Sequence, residues 1–446
     1  MGVVAPILSD LSYAQVMFWS AAIGIAGGIV ATAYYYLIEG SMHLVWSQVP
    51  DLLQVYFPGE FFIHNYVWIA ASVGGLLVGL SLYYMGLPGE VAFVVDKVHD
   101  PGRIDMKQTP AMIVASLFSI VAGGSAGPEA PLVQVNGSIG GWVGTKLKLS
   151  LASVRILTFC GMSAALGAFF GAPLGGALFA LEIPHRRGLE YYEAIIPAVL
   201  SAILSFTVFR FTTGLSIGGM YHFASIPPLT LMNLLEGAIL GAVGAAVALL
   251  FVLVFRTVGY LTAPLHHQTI LLATLGGLSI GLIALVFPQT LFFGEEQIET
   301  VIEHGAGYGI ALLLAIGLAK MLTISCTLHS GFRGGFIFPL FYIGSVVGLA
   351  ISLGFPQIHP TIAMVCMMAA VNVAITKTPI SSTVILSVIA DTSMVPVIVI
   401  ASLTSFLLTT QVSLIKTQRS RTVTAGEYQP DKMPVPEIVA GVVSQA

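Results

Sequence analysis

Charged residues are scarce in this sequence. Of its 446 residues, 17 are Lys or Arg and 21 are Asp or Glu, so charged residues make up 9% of the chain, against about 25% in a typical soluble domain. Apolar residues make up 56%, and the mean hydropathy is +0.93. This composition excludes an ordinary cytosolic enzyme. It predicts an all-α polytopic membrane protein embedded in the lipid bilayer.

A basic excess is also lacking. The net charge is -4, so there is no broad positive surface of the kind that binds nucleic acid, and a nucleic-acid partner is excluded. Cysteine is nearly absent. Cys160, Cys326 and Cys366 lie in apolar context without ligand spacing, so the sequence predicts neither disulfides nor a metal site, and we expect no cofactor.

Glycine and proline are abundant where a continuous membrane helix would avoid them. Gly occurs 48 times, and it clusters with Pro at the starts of several apolar segments. Such interruptions indicate broken and re-entrant helices, which are tolerated only where protein or a cavity surrounds them. Gly127 and Pro131 recur 208 residues later as Gly335 and Pro339. Paired interruptions in two halves point to a transporter-type site where the halves meet.

The interrupted segments suggest an anion as the ligand. A helix that begins inside the membrane leaves its first N–H groups unpaired and carries a partial positive end, so it attracts an anion without a full cation. The segments GLPGE, GPEAP and GGFIFP open with Gly or Pro in this way. We therefore predict that their backbone amides meet around a small anion.

These motifs carry a family resemblance. GGSAGPEAPLVQVNGSIGG resembles the motif of the CLC chloride channel and transporter family, with Glu129 on its glutamate. GAFFGAPLGGALFALE, SGFRGGFIFPLF and TKTPISSTVIL resemble three further segments of that family, and MGLPGE resembles a degraded first pore loop. The resemblance implies a CLC-type fold of two inverted pseudo-repeats with one anion pathway per subunit, and a homodimer.

The resemblance and the physical chemistry together assign Glu129 to a gate. A deprotonated carboxylate held by the same amides competes with the permeating anion, and a protonated one vacates the site. Chloride is the anion that the resemblance implies, with fluoride or nitrate as alternatives. The predicted anion-binding positions are Met85, Gly86, Gly127, Gly335, Phe336, Ile337 and Ile415.

Three positions depart from the family pattern. Met85 replaces a pore serine, and Ile415 falls where many members carry a gate tyrosine, so two hydroxyl donors are lost. Ile183 follows Glu182 at the place of the internal proton-accepting glutamate of proton-coupled members. Because isoleucine cannot carry a proton, the sequence favours passive, channel-like conduction. A chloride/proton antiporter that uses Glu182, His185 or water as an unusual proton route stays open, although PHRRG predicts a solvated loop for His185.

The predicted organisation is an N-terminal segment over 1–14, half-repeats over 15–215 and 216–420, and a short polar tail over 421–446 without CBS domains. The basic cluster Lys416, Arg419 and Arg421 places the C-terminus in the cytoplasm, and we expect an integral protein of the cell membrane. GGSAG formally fits the G-x-S-x-G motif of serine hydrolases, but its flanks favour membrane helix over the required strand. The chain is therefore not predicted to be an enzyme, and intramembrane hydrolysis by Ser125 is the alternative from another class.

Overall fold

The computed structural model describes residues 11–56, 60–87, 89, 91–216, 220–223, 225 and 227–419, with side chains omitted for 60–64. The predicted tail over 421–446 and most of the predicted segment 1–14 lie outside the described residues. Within that part of the chain the secondary structure is helical, with isolated bridges and no strand. The prediction of an all-α protein is confirmed.

Seventeen α-helices are present in the described part of the chain, and short 3-10 and π segments join some of them. Their bounds are α1 Tyr13–His43, α2 Val49–Tyr56, α3 Glu60–Met85, α4 Val91–His99, α5 Thr109–Val121, α6 Glu129–Lys146, α7 Leu151–Phe170, α8 Pro173–Glu182, α9 Ile195–Thr213, α10 Leu231–Thr262, α11 Thr269–Val286, α12 Glu295–His304, α13 Gly309–His329, α14 Ile337–Gly354, α15 Pro360–Thr376, α16 Pro379–Ile389 and α17 Val395–Thr409.

Nine helical stretches within the described residues are long and apolar enough to cross a membrane. Several of the other helices are too short to cross a membrane. α8 has 10 residues and α4 has 9, which at 1.5 Å per residue covers about half of a 30 Å hydrocarbon core. Short helices whose ends lie inside the protein are the broken elements that the glycine and proline pattern predicts.

The helix boundaries repeat with the 208-residue offset found in the sequence. α6 begins at Glu129 and ends at Lys146, and α14 begins and ends 208 residues later, at Ile337 and Gly354. Each is followed by a long buried helix, α7 or α15, and then by a short helix that opens with proline. Pro173 and Pro379 stand at the first helical position, where proline forfeits only an N–H without a helical acceptor. The predicted boundary near residue 215 falls between α9 and α10.

The most buried helices surround these breaks. α6, α7, α14 and α15 pack in sequential pairs, and α8 packs against α16 from the other predicted half. Buried glycines allow the close approach: a Cβ on Gly161 or Gly344 would collide with the backbone of the neighbouring helix. The core formed in this way holds both helix starts at the centre of the molecule.

Basic residues gather at one end of the helix bundle. Arg155 donates hydrogen bonds to the carbonyl oxygens of Val98 and His99, and the backbone of Arg186 pairs with that of Arg419. Arg419 also lies 3.9 Å from Asp96. We call this end the basic face, defined by Lys97, Arg155, Arg186, Arg187 and Arg419.

Candidate functional site

The two breaks that share the 208-residue offset are joined directly. The N–H of Gly127 donates to the carbonyl oxygen of Gly335 at 2.8 Å, and the N–H of Gly335 donates to that of Gly127 at 2.7 Å. This reciprocal pair satisfies four backbone groups of two buried residues. It also fixes the starts of α6 and α14 beside each other.

Glu129 lies between these helix starts. It is the first residue of α6, and its side chain is 2% exposed. Its Oε1 accepts a 2.9 Å hydrogen bond from the N–H of Ile337, the first residue of α14. The carboxyl group therefore occupies the end of a helix dipole where a free anion would be stabilised.

Space for this carboxyl group comes from glycine. A Cβ on Gly127 would collide with Oε2 of Glu129, and a Cβ on Gly335 would collide with its Cγ and Cδ. One glycine from each half therefore leaves a pocket that fits a carboxylate.

A small apolar cavity extends from Glu129. Its volume is about 40 Å³, and both Glu129 and Ile183 contribute to its wall. A cavity needs about 10–15 Å³ to hold one water molecule, so this one has room for a few waters or a small anion. The remaining lining is apolar, and includes Val94, Met162, Leu166 and Phe179.

A second cavity of about 160 Å³ lies beside the first. Phe336 and Ala130 belong to the walls of both cavities, and the second also touches Ile415 and Arg333. Ile415 is 3% exposed in the segment after α17. The two cavities bring together Glu129, Gly335, Phe336, Ile337, Ile183 and Ile415 among the positions predicted from the sequence.

Met85 and Gly86 lie elsewhere. Met85 ends α3 with 44% of its surface exposed, and Gly86 follows in a left-handed conformation with φ +87°. The described walls of the two cavities include neither residue, although Gly89 contributes to the second. Gly127 does not line them either, although its bonding partner Gly335 lines the first. Anion binding at Met85 and Gly86 stays a prediction.

Glu182 has a different environment from Glu129. Oε1 accepts from the N–H of Ile380, while Oε2 accepts from the N–H and the hydroxyl of Ser381, at 3.1, 2.8 and 2.6 Å. Glu182 therefore caps the N-terminus of α16, across the predicted boundary between the halves. Three donors at a helix N-terminus hold this carboxyl group in place, which suits a fixed cap better than a mobile proton carrier.

His185 is not solvated. Its exposed fraction is 1%, and Nε2 lies 3.3 Å from Oε2 of Glu190. The prediction of a solvated loop is wrong because residues after α17 return to cover it: the N–H of Arg419 donates to the carbonyl of Pro184. Gln418 adds hydrogen bonds to the carbonyls of Ile183 and Thr376, at 2.9 and 2.7 Å.

Two lysines are buried as well, Lys320 and Lys377. Lys320 is fully buried, and its Nζ donates to the carbonyl oxygens of Thr290 and Phe292 at 3.0 and 2.7 Å. Lys377 has a buried Nζ that donates to the carbonyls of Ala374 and Thr409. A lysine flanked by apolar residues within a predicted span is the signal that marks Lys320, because such a charge is costly without partners.

The described surroundings of Ser125 differ from those of a serine hydrolase nucleophile. Ser125 lies in the connection between α5 and α6, and its N–H donates to Oγ1 of Thr327 at 3.0 Å. Its buried Oγ has no hydrogen-bond partner among the described residues. Neither the strand nor the activating histidine of a nucleophile elbow stands at this serine.

Broken helices that meet around a buried carboxylate between two related halves define an integral membrane protein of anion transport. The comparison with known families agrees: the model of the family described as voltage gated chloride channel matches residues 74–410. The chain belongs to this family, the CLC channels and transporters.

Individual relatives share a low sequence identity with this chain. A protein of Pseudomonas syringae pv. tomato, described as a chloride/fluoride channel protein, is 26% identical over 369 residues, covering 80% of this chain and 79% of that protein. A CLC-type fluoride/proton antiporter of known structure aligns with a TM-score of 0.77 at 20% identity, over 92% of this chain and 100% of the other. A slow cyanobacterial chloride/proton antiporter aligns with a TM-score of 0.76 at 21% identity, over 90% and 96%. These structures show that the chain has the CLC fold.

Proposed function

We propose that this protein carries a halide anion across the membrane through the place where α6 and α14 begin, and that Glu129 is its gate. The observation that supports this most directly is the hydrogen bond from the N–H of Ile337 to Glu129. An ionised Glu129 holds the donors that the anion needs, so the two negative groups compete for one place. Protonation removes the charge, and the anion then takes the site.

Chloride is the proposed substrate, with fluoride as the alternative. Family membership supports chloride. Fluoride is supported by the description of the Pseudomonas relative and by one structural neighbour, and by the two hydroxyl donors absent at Met85 and Ile415. Around Glu129 the described wall consists of backbone amides and apolar side chains, and a site of this kind selects by size and dehydration.

Passive conduction is the first candidate mechanism. Ile183 occupies the family's internal proton position with a side chain that does not titrate, and it lies in the wall of the cavity that also touches Glu129. Proton-coupled exchange is the second candidate. It is supported by the same cavity, which extends from Glu129 to Ile183, two residues before the buried His185, and by the antiporter descriptions of two structural neighbours.

The orientation and assembly belong to this proposal. The basic face faces the cytoplasm if Lys and Arg follow the positive-inside rule, and the C-terminus then lies inside the cell. We propose further that residues 15–215 and 216–420 are inverted half-repeats, and that two copies form a dimer in the cell membrane with one pathway each. Cross-linking in native membranes and labelling of single exposed cysteines from either side test these points.

The decisive experiment is reconstitution of the purified protein into liposomes with an anion electrode and a pH electrode. Chloride or fluoride efflux that starts on addition of a potassium ionophore supports anion transport, and protein-free liposomes are the control. Absence of efflux for chloride, fluoride and nitrate contradicts the proposed function. The pH electrode then separates passive conduction from exchange, because only exchange drives protons against their gradient.

A further inference from the structure

Two buried histidines lie close in the chain to residues that line the same cavity as Ile183. His185 and His99 have ring centroids 5.2 Å apart, and their exposed fractions are 1% and 6%. His185 follows Ile183 by two residues, and His99 ends α4, whose Val91 and Val94 line the same cavity. The charge of imidazole changes near neutral pH. For two buried histidines side by side, the contacts of each ring therefore decide which protons it carries.

The contacts of His185 determine where its proton lies. Nδ1 is 3.1 Å from the carbonyl oxygen of Leu181, and a carbonyl only accepts, so Nδ1 carries a hydrogen. Nε2 then faces Oε2 of Glu190 at 3.3 Å. A lone pair opposite a carboxylate is repulsive, whereas one proton between these atoms makes the contact favourable. A proton that reaches the pair is therefore shared between Nε2 of His185 and Oε2 of Glu190.

His99 does not compete for this proton. Its Nε2 donates to the carbonyl oxygen of Pro184 at 2.9 Å, and its Nδ1 accepts from the hydroxyl of Tyr191 at 3.1 Å. Both nitrogens are therefore occupied in the neutral ring. Burial lowers the pKa of His99 to about 4, against the ordinary 6.5. Of the two adjacent histidines, His99 is fixed in its neutral form, and His185 is the one with a nitrogen that faces a carboxylate.

Opposing effects keep the proton of His185 exchangeable. Burial lowers its pKa, and the carboxylate of Glu190 acts in the other direction. Glu190 is 29% exposed, so the pair reaches from solvent into the protein. The other titratable or charged groups around the two histidines are Asp96 and Lys97 on α4, Arg155 on α7, Arg186, Arg187, Tyr191 and Glu193 in the connection to α9, Lys377 at the end of α15, and Arg419 after α17.

We propose that His185 and Glu190 form the station from which protons enter the protein at the basic face and reach Glu129. This inference rests on the second candidate mechanism above, proton-coupled exchange. It assigns the internal proton-transfer role, which Ile183 cannot perform, to His185 and Glu190. These residues follow Ile183 by two and seven positions.

The transfer is balanced without a further reactant. Glu190 takes one proton from bulk water, and the proton is held between Oε2 of Glu190 and Nε2 of His185. It then passes through water in the cavity beside Ile183 to the carboxylate of Glu129, which leaves a neutral His185 and an ionised Glu190. The cavity of about 40 Å³ has room for the waters this step needs. Glu129 becomes neutral, leaves the amides of α14 and admits the anion.

The test is Glu190→Gln, with proton and anion fluxes measured together in liposomes under an imposed chloride gradient. Glutamine keeps the size of the side chain, and its amide donates to Nε2 of a neutral His185, so the contact survives without the shared proton. The matched control is Glu193→Gln, which neutralises an exposed carboxylate three residues away. We expect the proton-to-anion ratio to fall at least about tenfold in Glu190→Gln, as for loss of a proton-transfer group, and to be unchanged in Glu193→Gln.

Several results would overturn the proposal. A wild-type protein that conducts chloride but moves no protons against their gradient eliminates the proton station and leaves gated conduction intact. An unchanged ratio in Glu190→Gln has the same effect. If both fluxes fall in constant proportion, the pair has a structural role only. Loss of all anion flux in the wild type contradicts the proposed function itself, so the two failures are distinguished.

Discussion

The N–H of Ile337 donates a hydrogen bond to the carboxylate of Glu129, which lies 208 residues earlier in the chain, at 2.9 Å. The two residues are the first of α14 and of α6, so each helix start supplies one partner of the bond. A carboxylate bonded to a helix N-terminus occupies the position that a bound anion would take, although it is part of the protein itself. The proposed gate needs no other moving part than this side chain.

Substitution of Glu129 by Gln tests the gate. The amide oxygen of glutamine still accepts from Ile337, but the side chain no longer carries a charge that depends on pH. We expect anion efflux from liposomes to become insensitive to pH between 5 and 8, while the wild type conducts faster at low pH. Glu303→Gln, on the exposed surface of α12, is the control and should keep the wild-type profile. Retained pH dependence in Glu129→Gln would exclude Glu129 as the gate.

Gly335→Ala tests the shape of the carboxylate pocket. The added Cβ collides with the side chain of Glu129, so we expect a loss of roughly 1–3 kcal/mol in stability from overpacking. In a Glu129→Ala background the collision disappears, and most of that loss should be recovered. Thermal unfolding in detergent measures all four proteins, and Gly354→Ala, where a Cβ meets nothing closer than 3.6 Å, is the control. Equal losses in both backgrounds would show that the glycine does not accommodate the carboxylate.

Ser381→Ala tests Glu182 as a cap of α16. The variant removes the 2.6 Å hydrogen bond from the hydroxyl to Oε2, and a hydrogen bond to a charged group contributes about 1.5–3 kcal/mol. We expect a lower unfolding midpoint with an unaltered proton-to-anion ratio. Ser279→Ala, at a half-buried serine on α11 whose hydroxyl donates to Leu275 of its own helix, should change neither quantity. A change in ratio without a change in midpoint would instead place Glu182 on the proton route.

His99 predicts how stability varies with pH. Its pKa is about 4 in the folded protein and 6.5 when unperturbed, so the unfolded chain binds more protons between these values and stability falls as pH decreases from 6.5 to 4. Unfolding midpoints at several pH values should fall less steeply over this window in His99→Gln than in the wild type or in His267→Gln, an exposed control. Identical slopes in all three proteins would contradict the burial of a neutral His99.

The sequence revealed the breaks better than it revealed the polar residues around them. Gly127 and Gly335 stand out because glycine and proline interrupt apolar runs locally, and the spacing of the two motifs already related them. The burial of His185 could not be found in this way. Its neighbours Arg186 and Arg187 are typical of a loop, and it becomes buried through Arg419, more than 200 residues later. Long-range pairing of irregular segments leaves no periodic pattern in the residues involved.

The segment after α17 has a consequence for how the protein is made. Gln418 donates to the carbonyls of Ile183 and Thr376, and Arg419 pairs with Pro184 and Arg186, so the last described residues complete the wall around the basic end of the pathway. During translation these residues follow α17, the last helix in the described part of the chain. A chain that ends between Thr409 and Gln418 therefore keeps α1 to α17 but lacks the closure at that end. We expect such a truncated chain to expose His185, which the full chain buries.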